Sequence, residues 1–116
     1  MPRFKETGDR GMWTRGMGPQ QTRTWISQVN AISKSVTGKS CVVTSWYRDD
    51  QSFHADGRAV DFRRCSEANE VYPQYTEQQA QEIERRAEAA GVPMIVVARG
   101  GPAEHWHCGD VWTGVS

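Results

Sequence analysis

Two short segments near the carboxyl end of the chain place the strongest constraint on its fold. Residues 94–98 are continuously apolar and too short to form a separate helix, so they predict a central strand. A Gly-Gly-Pro sequence at 100–102 then turns the chain, and residues 104–108 predict the antiparallel neighbour of that strand. The chain must therefore build a sheet, and the second strand of this pair carries two of its three histidines.

Two helices are predicted upstream of this pair. Between residues 20 and 36, four apolar side chains recur at helical spacing before a Thr-Gly stop: Trp25, Val29, Ile32 and Val36. Thr76 followed by Gln79 has the form of a capping box, and the Ala-, Glu-, Gln- and Arg-rich stretch to Ala90 predicts a second helix.

Two further β-prone runs, residues 41–45 and 58–63, predict strands. The order helix, strand, strand, helix, strand, strand, with hairpin-length links, predicts an α+β domain with a small, mostly antiparallel sheet and helices packed on one side. A chain of 116 residues has the size of one domain. We expect this domain over residues 20–116, preceded by an irregular arm at 1–19, where four glycines and two prolines disfavour regular structure.

Charge and hydropathy exclude several classes of partner. The 14 basic and 14 acidic residues balance, so no nucleic-acid partner is expected, although a local patch of Arg58, Arg63 and Arg64 stays open. The sequence has no apolar run long enough to span a membrane, and no signal-peptide core near Met1. We therefore expect a protein made in the cytoplasm, with no membrane partner.

The cysteines do not indicate a disulfide framework. Cys41, Cys65 and Cys108 are odd in number and form no Cys-x-x-Cys pair, which also argues against a cysteine-rich zinc module. Cys108 directly follows His107, so on a strand it would point to the opposite face. We expect unreactive thiols and no cysteine ligand.

The histidines indicate a catalytic metal site. His54, Asp61 and His107 could supply two imidazoles and one carboxylate to a zinc ion and leave one tetrahedral position for water. His54 and Asp61 are seven residues apart, and Gly57 provides the bend that they need. Glu104 supplies a carboxylate that could take a proton from such a water.

The strand that carries the last histidine leaves the proton acceptor ambiguous. His105 and His107 are two residues apart and would face the same side of the sheet. By strict alternation Glu104 would face with Trp106, away from the metal. Glu104 directly follows the predicted turn, however, where the pleat need not hold.

Candidate substrate-binding residues lie before the first histidine. Arg48 could bind a substrate carboxylate or stabilise the oxyanion formed on water attack. Ser52 could orient a ligand or simply make a turn. Tyr47 and Trp46 could line a cleft or pack in the core.

These segments resemble the motifs of one enzyme family. SFHADGRAVDF, which begins at Ser52, fits every fixed position of the Ser-x-His-x-x-Gly-x-Ala-x-Asp pattern of zinc D-Ala-D-Ala carboxypeptidases and related L-alanyl-D-glutamate endopeptidases. EHWH, which begins at Glu104, fits their Glu-x-Trp-His, and TSWYR resembles the Ser-x-Tyr-Arg segment before the first motif. The resemblance covers roughly residues 42–107.

The resemblance implies the fold shared by Hedgehog signalling domains and DD-peptidases. It implies zinc on the triad His54, Asp61 and His107, with Glu104 as general base and Arg48 binding or polarising the substrate. The wider group of His-x-His peptidases that cleave peptidoglycan makes His105 a second candidate for proton transfer.

The implied function is a zinc metallopeptidase that cuts an amide bond in peptidoglycan stem peptides or cross-links. No cell-wall-binding domain is expected after Ser116, and the chain resembles compact phage endolysins that reach the wall through a holin or in a virion. One alternative is a D-Ala-D-Ala carboxypeptidase or dipeptidase of cell-wall metabolism. An alternative of another class is a non-catalytic zinc-containing binding or structural module. The sequence leaves the cleaved bond open.

Overall fold

A five-stranded mixed sheet and three helices make up the part of the chain that the computed structural model describes, residues 1–46, 59–65 and 73–109. In chain order the elements are β1 (Arg3–Phe4), α1 (Thr7–Thr14), α2 (Gln20–Thr37), β2 (Val42–Ser45), β3 (Ala59–Arg63), α3 (Glu77–Ala89), β4 (Met94–Val97) and β5 (His105–Gly109). The α+β class is confirmed. None of the helices described is long and apolar enough to cross a membrane.

The sheet has the strand order β1-β2-β3-β5-β4. Among the described strands only β1 and β2 pair in parallel, so the mostly antiparallel sheet is confirmed, as is the hairpin of β4 and β5. The prediction of a central β4 is wrong, because β5 pairs with both β3 and β4 and leaves β4 at the edge of the described sheet. Met94 and Val96 pack against the core, but Ile95 between them is 47% exposed, so a continuous apolar run did not require burial on both faces.

The two faces of the sheet have different compositions. Val60 and Phe62 of β3 pair with Cys108 and Trp106 of β5, and all four are fully buried in the core cluster, which also contains side chains of α2 and α3. Four of the six alternate positions of the same strands are polar: Asp61 and Arg63 on β3, His105 and His107 on β5. The helices therefore cover one face, and the polar face holds the candidate site.

Both predicted helices are confirmed. Gly38 ends α2 in the left-handed conformation, at φ 77°. The capping box of α3 is formed, since the Gln79 amide donates to Thr76 Oγ1 and the Thr76 amide donates to Gln79 Oε1.

The expectation of an irregular segment at 1–19 is wrong, because β1 and α1 lie within it. Long-range packing stabilises this segment. Trp46, at the end of β2, is fully buried and lies 6.2 Å from the Phe4 ring and 6.1 Å from the Trp13 ring, measured between centroids. Its backbone amide donates to the buried carboxylate of Asp9 in α1. The amino-terminal segment therefore anchors the end of β2.

Gly18 packs against the ring of Trp46 so closely that a side chain cannot be added. It has φ +99°, and a Cβ there would lie 2.7 Å from two ring atoms of Trp46. We expect Gly18→Ala to lower the free energy of unfolding by about 1–3 kcal/mol more than Gly16→Ala, because overpacking adds to the backbone strain. Gly16 is the matched control, since it has φ +70° but no neighbour within 4 Å of a Cβ. Urea unfolding measures both, and equal losses would contradict close packing at Gly18.

Candidate functional site

Asp61 and His107 lie side by side on neighbouring strands. They are register partners of β3 and β5, and each side chain is 14% exposed. His107 Nδ1 is 2.9 Å from Asp61 Oδ1 and donates a hydrogen bond to it in this arrangement. Strand alternation thus brings together a carboxylate and an imidazole from the two separated sequence segments on the polar face of the sheet.

His105 completes a cluster with these two residues. Its Nε2 lies 3.8 Å from Asp61 Oδ2, and its Nδ1 lies 2.8 Å from the carbonyl oxygen of Ala103. Because a carbonyl only accepts, that hydrogen bond places a proton on Nδ1 and leaves Nε2 of the neutral ring as an acceptor beside Asp61. The ring is therefore oriented by the backbone of the turn before β5.

Glu104 is nearly buried and is held through both of its oxygens. Its side chain accepts a hydrogen bond from Arg64 Nη1 at 2.5 Å on Oε1 and one from the Gly100 amide at 2.8 Å on Oε2. Burial raises the pKa of Glu104, but the hydrogen bonds from Gly100 and Arg64 outweigh burial and hold the pKa below its usual value. Glu104 is therefore held in its ionised form.

An open cavity of about 350 Å³ lies beside Asp61, His105 and Glu104. Glu104 contributes to its wall together with Asp61 and His105, but its carboxylate is turned toward Arg64 and α3, as strict strand alternation predicts, and not toward the histidines. The wall is completed by polar and small residues from β2, the amino-terminal segment and the turn before β5: Lys5, Thr44, Ser45, Pro102 and Ala103. Both candidate proton acceptors, Glu104 and His105, therefore contribute to the wall of one cavity.

Several predicted site residues lie outside the described residues: the third metal ligand His54 and the substrate-binding candidates Tyr47, Arg48 and Ser52. Trp46, left open between cleft and core, packs in the core, where its indole Nε1 donates to Thr22 Oγ1 at 2.7 Å.

The role of Arg64 was not predicted from the sequence. It was a candidate for a basic surface patch, but its side chain is fully buried and contacts three carboxylates, so it cannot belong to such a patch. Two of these carboxylates, Glu77 and Glu84, come from α3. A signal was present, because these two acidic residues are seven apart beside the buried Ala80 and Ala87 of the same helix.

One group of three potential ligands has all its ligand atoms within 4.8 Å of one another among the described residues: Cys65, Glu77 and Glu104. The Arg64 guanidinium already lies among them, at 2.5 Å from Glu104, 2.7 Å from Glu77 and 3.5 Å from the Cys65 sulfur. Arg64 therefore supplies the positive charge that these groups require, and the group does not indicate a metal.

The described structure confirms that Cys108 lies away from His107. Cys108 is buried on the helix-covered face with Cys41, and all three cysteines are free thiols. Burial raises the pKa of Cys41 to about 12 and that of Cys65 to about 11. These thiols stay protonated at neutral pH, which makes them poor nucleophiles and ligands.

Comparison of the chain with protein-family models, with curated proteins and with solved structures finds no match.

Proposed function

We propose that this chain is a zinc metallopeptidase with the Hedgehog/DD-peptidase type of fold, acting on peptidoglycan stem peptides or cross-links. One observation carries the proposal. Asp61 and His107, which come from two separate motifs, lie 2.9 Å apart on adjacent strands, and Asp61 lines an open cavity. Both side chains are only 14% exposed, and a largely buried carboxylate and imidazole are costly unless they are paired.

The two described ligands fit a zinc ion. Carboxylate oxygen and imidazole nitrogen are ligand types that zinc uses, and tetrahedral ligands about 2 Å from the ion are roughly 3.3 Å apart. The Asp61–His107 pair needs to open by only a few tenths of an ångström from 2.9 Å. His54 is the proposed third ligand. When bound, zinc supplies a Lewis acid that polarises the scissile carbonyl and makes its water more acidic.

The protein groups around the ion would perform the remaining steps. Glu104, already ionised, would accept the proton of the attacking water and pass it to the leaving amine. His105 is the competing proton acceptor, because its Nε2 faces Asp61. Arg48 would bind the substrate or offset the developing negative charge, and Ser52 and Tyr47 would contribute to substrate binding.

Digestion of purified peptidoglycan followed by mass spectrometry of the released fragments tests this function. We expect zinc-dependent fragments that a chelator abolishes and added zinc restores. Endopeptidase cleavage supports a lytic enzyme that acts at the cell wall after holin release or from a virion. Release of D-alanine alone would instead identify a carboxypeptidase. Absence of any fragment from a folded, zinc-loaded protein would overturn the proposal and favour a binding module.

Asp61→Asn tests the metal site independently of activity. We expect the variant to lose the stoichiometric zinc that the unaltered protein retains after gel filtration, because an amide is a much weaker zinc ligand than a carboxylate. Metal analysis of the purified proteins measures this. Glu88→Gln, an equivalent change at an exposed position of α3, serves as the control and should keep its zinc. Equal zinc contents in the two variants would contradict a ligand role for Asp61.

A further inference from the structure

Arg64 links the candidate site to helix α3. It follows β3 directly, and its side chain has no exposed surface. Nη1 donates to Glu104 at 2.5 Å and to Glu77 at 2.7 Å, while Nη2 donates to the second Glu77 oxygen at 2.8 Å and to Glu84 at 3.1 Å. One guanidinium therefore connects the cavity wall with two side chains of α3.

A fully buried arginine lowers the stability of the fold unless its charge is well paired. A fully buried charge loses its hydration, and only close partners with good geometry offset this loss. Here both Nη atoms of Arg64 are paired with carboxylates, whereas its buried Nε has no hydrogen-bond partner among the described residues. Arg99 contacts Glu77 at 2.9 Å and Glu84 at 3.5 Å from the exposed side, so that three carboxylates share two guanidinium groups.

Glu104 depends on this pairing. It is only 8% exposed, and a carboxyl group in such a place would tend to be neutral without a counter-charge. Its only hydrogen-bond partners among the described residues are Arg64 on one oxygen and Gly100 on the other. Two anchors on two different oxygens fix both the position and the rotation of the carboxylate plane.

We propose that Arg64 is a positioning residue for Glu104: it fixes the orientation of the Glu104 carboxylate at the cavity wall, and Glu77 and Glu84 of α3 hold Arg64 in turn. This inference rests on the proposed function, in which Glu104 accepts the proton of water. Arg64 itself does not touch the reacting atoms.

The hydrogen bonds from Arg64 and Gly100 leave Glu104 able to accept a proton. An ionised carboxylate has about four lone-pair sites, and the two hydrogen bonds use two of them. In the proposed mechanism the remaining lone pairs would accept a proton from water in the cavity that Glu104 helps to line. A displacement of the carboxylate by about 1 Å would lower the rate of proton transfer by about 10²-fold, because the reaction requires close alignment of the catalytic group.

An arginine is required for this role. Its planar fork reaches two carboxylates through Nη1 and two through Nη2, whereas a lysine has a single compact ammonium group. The Arg64 hydrogen bonds also lower the pKa of Glu77 to about 2, so this anchor stays ionised throughout the neutral range. Arg64→Lys therefore keeps the charge and loses the geometry.

Kinetics of Arg64→Lys on peptidoglycan fragments test the inference. We expect kcat to fall about ten- to hundredfold, with KM and zinc stoichiometry unchanged, because Arg64 contacts neither Asp61 nor His107 in the described structure. In a Glu104→Gln background, Arg64→Lys should cause no further loss. Arg85→Lys is the matched control, since Arg85 is 70% exposed and pairs with Glu82 on the outside of α3.

The outcomes separate the two proposals. If the unaltered protein releases no fragments, the proposed function fails and the positioning role fails with it. If the unaltered protein is active and Arg64→Lys keeps its kcat, or loses as much in the Glu104→Gln background as outside it, only the positioning role is overturned. Should circular dichroism show that Arg64→Lys is unfolded, Glu77→Gln replaces it in the same cycle, and we expect a smaller loss of kcat that again disappears in the Glu104→Gln background.

Discussion

Glu104→Gln is expected to lower the rate of peptide hydrolysis by about 10²–10⁴-fold while zinc stays bound. The amide keeps the size of the side chain but cannot accept a proton from water at neutral pH. Glu104 lines the cavity with Asp61 yet makes its described hydrogen bonds to Arg64 and Gly100, so its loss should not disturb the metal ligands. Fragment release measures the rate, and metal analysis of the same sample measures the zinc.

His105→Ala is the necessary companion to this experiment. The His105 ring is oriented by Ala103, and its Nε2 lies 3.8 Å from Asp61, so it is the other described side chain placed to accept a proton beside the metal position. If Glu104→Gln kept nearly full activity and His105→Ala were inactive, the proton acceptor would be His105. The positioning role of Arg64 would then have no basis in catalysis.

Trp46→Ala is expected to lower the free energy of unfolding by about 3–5 kcal/mol. The side chain is fully buried between the rings of Phe4 and Trp13, and its removal would leave a large cavity. It would also leave the buried hydroxyl of Thr22 without the indole hydrogen bond of 2.7 Å. Urea unfolding followed by circular dichroism measures this loss.

Two controls define what Trp46 contributes. Trp46→Phe keeps most of the apolar contact and should restore a large part of the stability, with the remaining loss due to the indole hydrogen bond. Trp25→Ala removes the same side chain from a half-buried position of α2 and should cost clearly less. If Trp46→Ala cost under about 1 kcal/mol, the amino-terminal segment would not be packed on the end of β2 as the structure has it.

The elements that local patterns define could be located from the sequence. The helical spacing of residues 20–36 and the Thr76/Gln79 box reflect interactions within a few residues, and both helices are found where these predict them. Interactions between residues that are far apart in the chain could not be predicted from such local patterns. The helix α1 lies in a glycine-rich segment because Phe4 and Trp13 pack on Trp46, more than thirty residues away along the chain. The edge position of β4 likewise depends on which strand β5 joins.

In the candidate site, too, some features follow from local patterns and others from long-range packing. Period-two alternation places His105 and His107 on one face, and antiparallel pairing then brings Asp61 beside them. The contacts of Arg64 depend instead on how α3 docks, and nothing in its own neighbourhood distinguishes it from Arg63, the preceding residue of β3.

Because side chains alternate along β5, packing of the hydrophobic core also fixes the arrangement of the polar site. A slip of β5 by one residue against β3 would turn both imidazoles toward the helices and expel Trp106 and Cys108 into water. The register that buries the indole is therefore the same register that seats His107 beside Asp61. Insertion or deletion of a single residue within β5 would both lower the free energy of unfolding and separate His107 from Asp61. This strand should accordingly tolerate changes of side chain far better than changes of length.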